Sequence, residues 1–91
     1  MAATVKIPTQ LRAATGGASE ASVEGATVAE VLDGLFAQFG ELRERIQDEQ
    51  GSLRRFVNVY LAGEDIRFLD GVNAVVPPGA ELTILPAVAG G

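Results

Sequence analysis

Thr27 to Glu30, read as Thr-Val-Ala-Glu, open the one long apolar stripe of this chain, and that stripe limits what the chain can become. The Thr27 hydroxyl is placed to accept a backbone N–H of the first helical turn while Glu30 reaches back, the reciprocal arrangement of a capping box. Behind it Val28, Val31, Leu32, Leu35, Phe36 and Phe39 recur at helical spacing, and Gly40 supplies a stop. The spacing predicts one amphipathic helix of about three turns. Its stripe needs a sheet to cover. Phe36 and Phe39, at this spacing, belong to that covered face rather than to a ligand cage.

The rest of the chain supplies strands. Ala3 to Ile7 alternate around Val5 and Ile7 and stop at Pro8. Gly16-Gly17 gives a turn into a shorter, less apolar strand around Ala18 to Val23, which makes a hairpin. After the helix, residues 41–53 mix charges of both signs and read as a short helical turn followed by a loop. Phe56, Val57, Val59, Tyr60 and Leu61 form a β run ended by Ala62-Gly63-Glu64-Asp65. Residues 66–76 give another short extended piece, with a turn at Asp70-Gly71. Pro77-Pro78-Gly79 then turns the chain into a last strand, where Leu82 and Ile84 alternate with Glu81 and Thr83 up to Pro86. A helix across one face of a mixed sheet is the two-layer α+β solution for such a chain. If the first and last strands pair in parallel at the sheet centre through a right-handed crossover, the architecture is a β-grasp. The expected division is a β-grasp domain over residues 1–86 and a flexible tail over 87–91.

Composition then removes function classes. Ninety-one residues make one domain, and a hydrophobic fraction of 47% with 21% charged residues describes a globular chain. Seven basic against 12 acidic residues give a net charge of −5, which sets the overall field against phosphate backbones and anionic membranes. Arg54-Arg55 is the only adjacent basic pair and reads as solvated punctuation beside a strand. Without cysteine or histidine there are no disulfides, no thiolate nucleophile, no usual zinc ligand set and not the commonest general base. No calcium-loop spacing of aspartates occurs, and Gly16-Gly17 lacks the Gly-Lys-Ser/Thr continuation of a phosphate loop. The first residues carry no charged start followed by a long apolar run, so a cytoplasmic protein is expected, with neither membrane nor nucleic acid as partner.

Leu-Pro-Ala-Val-Ala-Gly-Gly, residues 85–91, finishes on a glycine pair that contributes nothing evident to folding, because glycine is costly to order and offers no side chain to pack. Residues 82–91, which end in this segment, together with residues 55–68 (Arg-Phe-Val-Asn-Val-Tyr-Leu-Ala-Gly-Glu-Asp-Ile-Arg-Phe), and supported by residues 5–12 and Thr15-Gly16-Gly17, carry a resemblance. Over essentially its whole length the chain resembles the MoaD/ThiS-type ubiquitin-like sulfur carriers, and among them those serving cysteine biosynthesis.

The resemblance implies a ubiquitin-like β-grasp and a division of labour. An activating enzyme would adenylate the Gly91 carboxylate with ATP and magnesium and convert it to a thiocarboxylate. Gly90, Ala89, Val88 and Ala87 would thread the partner's active site, where missing or small side chains fit a narrow channel. Phe56, Phe68 and Leu85 are candidates for partner docking and equally for the core. A pyridoxal-phosphate cysteine synthase and a JAMM-type zinc metalloprotease are the further implied partners. All cofactors would belong to those partners, and this chain would be a carrier without catalytic or metal-binding residues. Two rivals keep the fold: the small subunit of molybdopterin synthase, and the thiamin sulfur carrier. A third makes the chain a ubiquitin-like protein modifier joined to targets through Gly91, with Lys6 as the only lysine for self-linked chains. A fourth is a plain binding module with an inert tail.

Overall fold

The computed structural model describes residues 2–51, 53–54 and 57–86. Period-two alternation decides how its strands lie. In β1 (Ala3–Lys6), Ala3 and Val5 are buried while Thr4 and Lys6 are half-buried. In β3 (Val57–Leu61) the odd positions are buried, and in β5 (Glu81–Pro86) Leu82 and Ile84 are wholly inaccessible. With β2 (Glu20–Val23) and the two-residue β4 (Glu64–Asp65) they form one sheet, ordered β2-β1-β5-β3-β4. β1 and β5 pair in parallel at its centre, and every other neighbouring pair is antiparallel. That is the β-grasp arrangement expected from the sequence.

The stripe forms α1 (Val28–Gln38), which buries Val28, Val31, Leu32, Leu35 and Phe36 against the sheet's inner face. The capping box is present. Thr27 Oγ1 accepts from the Glu30 N–H at 3.3 Å, and the Glu30 carboxylate accepts at 3.0 Å from the N–H of Ala26, one residue before the cap. Gly40 does not end the helical region as expected. Phe39 leaves helical geometry at φ −131°, ψ 81°, and Gly40 becomes the first residue of α2 (Gly40–Ile46), whose Leu42 and Ile46 join the core. The short helical turn expected after α1 is this element.

Two connections differ from the reading. Residues Thr9–Thr15, between β1 and β2, form a 3-10 helix that buries Leu11. The Thr15 hydroxyl bridges the carbonyls of Arg12 and Ala18, and Gly16 closes the element in the left-handed region at φ 67°. The extended piece expected over 66–76 is instead two short 3-10 helices, Ile66–Phe68 and Gly71–Asn73. Asp65 causes the first, since its carboxylate accepts the Arg67 N–H at 2.9 Å and Ile66 is drawn into the core.

Candidate functional site

The strand that leads to the tail is hydrogen-bonded on both sides. β5 lies against Thr4, Val5 and Lys6 of β1, and against the whole of β3, where the register ends at Asn58 opposite Leu85 and Val57 opposite Pro86. The buried Leu82 and Ile84 fix which face turns inward, so Glu81, Thr83 and Leu85 lie on the open face. The described part of β5 therefore ends in the middle of the sheet, between the end of β1 and the start of β3.

Around that exit the open face is charged and ordered. Lys6 Nζ donates to Glu20 Oε2 at 2.7 Å and lies 4.0 Å from Glu81, and these contacts, Glu20 first, raise its pKa above the ordinary value. On the β3 side Arg67 forks onto the Asp65 carboxylate, at 2.7 Å for its shortest contact, and donates from Nη2 to Asn58 Oδ1 at 3.1 Å. Hydrogen bonds from the Arg67 side chain, then from its backbone N–H, hold the Asp65 carboxyl below its ordinary range. A depression of about 370 Å³ beside the exit is lined by Leu85, Thr83, Lys6, Ile7, Pro8 and Arg12, among others. Another, about 410 Å³, borders it beyond β3, with Arg54, Val57, Asn58 and Arg67 in its wall.

The candidates from the sequence are placed as follows. Gly91, Gly90, Ala89, Val88, Ala87 and Phe56 lie outside the described residues. Leu85 is 46% exposed at the exit, and Phe68 is 81% exposed, so both stand on the surface rather than in the core. They do not meet. Phe68 shares a depression with Leu61, Ala62 and Val75, beside the end of β3 that pairs with the start of β5. The ion pairs flanking the exit were not singled out from the sequence. Alternation in β1 and β5 does carry part of that information, because it assigns Lys6 and Glu81 to one face.

A comparison with known families settles the kinship: the profile of the ThiS family matches residues 5–91. The chain belongs to the ThiS family. Among curated relatives it is similar to the sulfur carrier protein CysO of Mycobacterium tuberculosis, at 45% identity with all of both chains covered. Among solved structures this ThiS-family chain is similar to one in the Amycolatopsis orientalis BexX/CysO complex, at 47% identity and a TM-score of 0.90, covering 98% of this chain and 99% of that one. It is also similar to small archaeal modifier protein 1 of Methanosarcina acetivorans, at 31% identity and a TM-score of 0.85, covering 99% and 96%. Among its described residues no group of three or more His, Cys, Asp or Glu could hold a metal ion, and no helix is long and apolar enough to cross a membrane.

Proposed function

We propose that this chain is a sulfur carrier, that residues 87–91 are its working tail, and that the sulfur it delivers serves cysteine biosynthesis. The observation that carries the reading is the full-length similarity to a curated sulfur carrier, in a fold whose central strand β5 ends at Pro86, just before the segment 87–91.

The chemistry follows from what a terminal carboxylate lacks. Ionised at neutral pH, the Gly91 carboxylate is a poor acyl donor toward a sulfur nucleophile. An activating enzyme transfers AMP from ATP onto one carboxylate oxygen, releasing pyrophosphate. A sulfur donor then attacks the carbonyl carbon and AMP departs with that oxygen, which leaves sulfur in its place. This chain supplies neither the nucleotide site nor the thiol, so it acts as co-substrate, and ATP, magnesium and pyridoxal phosphate are held by partners. Five extended residues reach roughly 17 Å, enough to carry Gly91 into a buried active site while the domain stays outside. The acceptor is a pyridoxal-phosphate cysteine synthase, followed by a JAMM-type zinc metalloprotease that frees the product. The setting is cytoplasmic, without membrane or nucleic acid.

Intact-mass spectrometry after incubation with ATP, a sulfide source and the organism's own activating enzyme tests the first step. The expected result is exchange of one oxygen for one sulfur in the peptide that ends at Gly91. An unchanged mass with an activating enzyme proven competent on another carrier overturns the reading. Gly91→Ala should lower the yield while leaving the denaturation midpoint unmoved. The pathway is read from which acceptor consumes the thiocarboxylate: cysteine synthase here, molybdopterin synthase or the thiamin thiazole enzyme in the rival cases.

The similarity to small archaeal modifier protein 1 favours one second reading, conjugation of Gly91 to lysines of target proteins. Lys6 is held in an ion pair with Glu20, which disfavours self-linked chains and makes single conjugates the form to look for in cell extracts.

A further inference from the structure

Six of the seven cationic side chains are arginines, and Lys6 is the only lysine. There is no cysteine. In a chain whose C-terminal carboxylate is turned into an acyl donor, Lys6 is thus the one side-chain amine that could take the acyl group in place of a sulfur donor. Its place in the sheet brings it close. Lys6 stands opposite Thr83 on β5 and shares a depression with Thr83 and Leu85. Pro86 is three residues further on, roughly 10 Å at strand spacing. Residues 87–91, turned back through two of their number, leave three that span about 10 Å, so chain length allows Gly91 to meet Lys6 of its own molecule. The start of the chain is not placed in this way, since β1 runs parallel to β5 and begins, at Ala3, at the end away from the exit.

Two carboxylates occupy the lysine. Lys6 Nζ donates to Glu20 Oε2 at 2.7 Å and lies 4.0 Å from Glu81 Oε2. The register puts both on sides of Lys6 that face away from the exit. Glu20 is directly opposite Lys6 on the edge strand β2, across β1 from β5. Glu81 is opposite Thr4, two residues before Thr83, toward the start of β5. An ammonium held there is drawn back from the tail, and a nitrogen that keeps its proton has no lone pair with which to attack a carbonyl. The contacts with Glu20 first, and with Glu81 after it, also raise the lysine's pKa, which acts in the same direction. Arg12, in the wall of the same depression, is a like charge, but its guanidinium keeps its proton and does not compete as a nucleophile.

We propose that Glu20 and Glu81 protect the activated tail from its own chain: they hold the Lys6 ammonium away from Gly91 and so reserve the acyl group for the sulfur donor. This rests on the sulfur-carrier reading above, because only an activated carboxylate makes the lysine a competitor. The reaction they suppress is a ring closure. Unprotonated Lys6 Nζ attacks the Gly91 carbonyl carbon and forms an N–C bond, the bond from that carbon to the AMP oxygen breaks, AMP leaves with the electron pair, and the nitrogen gives up a proton to water. The product is a lactam one water lighter than the free chain, with no carboxylate left to carry sulfur.

The test supplies the leaving group chemically. The full chain is released from an intein fusion by 2-mercaptoethanesulfonate, so that Gly91 ends in a thioester, and is held at about pH 8 until hydrolysis or ring closure consumes that ester. Intact mass separates acid from lactam, and trypsin identifies the lactam as residues 1–12 joined to residues 68–91 and uncut after Lys6. Glu20→Gln/Glu81→Gln should raise the lactam share about threefold over wild type. Lys6→Arg should form none. In wild type, moving from about 50 to about 500 mM salt should raise the share by screening the pairs, a readout that needs no substitution. Equal shares in wild type and the double variant overturn the proposal, as does the absence of lactam from both at about pH 10, which puts Lys6 beyond the tail's reach. A share that grows with protein concentration also overturns it, because the attack is then between molecules. No activating enzyme takes part, so the two readings fail separately: a chain that never takes up sulfur sinks the functional reading and leaves the ring-closure result standing.

Discussion

Asp65 is 7% exposed, and a carboxylate so enclosed needs compensation that the Arg67 fork and backbone N–H supply. Because its folded pKa lies below the ordinary 3.8, its contribution is complete above that value and disappears as pH falls through the lowered one. Denaturant melts from about pH 5 to about pH 2 should therefore show wild type losing stability more steeply than Asp65→Asn; parallel curves would remove the pair from the stability account. Gly25 is set by space rather than charge. A Cβ there would sit 2.7 Å from the Val31 backbone nitrogen, so Gly25→Ala should cost about 1–3 kcal/mol in a denaturant melt. At Gly34 the nearest atom is a methyl of the buried, β-branched Val23 at 2.6 Å, so the same substitution should cost a similar amount. None of these constraints was legible in the sequence. The two glycines are set by contacts made after β2 has met α1, and Asp65, though paired with its near neighbour Arg67, is enclosed only once β4 has paired with β3.

At the scale of elements, α1 was legible because six apolar positions and a capping box agree, and β5 because its alternation stands between Pro77-Pro78-Gly79 and Pro86. The 3-10 helices were not. Elements of one or two turns have too few residues to show a period, and two of the three are tied by a side chain, Thr15 or Asp65, whose role appears only in three dimensions. Gly40 was legible as a break but not as a beginning. The hairpin between β3 and β4 turns through Ala62 at φ 51° and Gly63 at φ 85°, both left-handed, as a two-residue turn of this hand demands. Alanine is strained there and exposed, so Ala62→Asn should raise stability by about 1 kcal/mol in thermal or urea melts, and a decrease would mean that the alanine methyl has a partner. Of the candidate site, the exit strand and its facing residues could be read from alternation. The pairing of Asn58 with Leu85, and with it the placing of the ion pairs around the exit, required the register.

Across the whole molecule, the last strand to be made is the one at the centre. Val5, Leu82 and Ile84 are wholly buried on the two parallel strands that join the ends of the chain, so the domain cannot close before its final residues have been placed. Amide exchange should be slowest in β1 and β5 and faster in β2 and β4, the edges; fastest exchange in β5 would contradict this order. The same placement has a mechanical side. A pull on residues 87–91 runs along β5 and loads its ladders to β1 and β3 together in shear, so that many bonds must fail at once rather than one after another. Under the proposed function, a partner that hauls on the tail would move the domain as a unit instead of unravelling it.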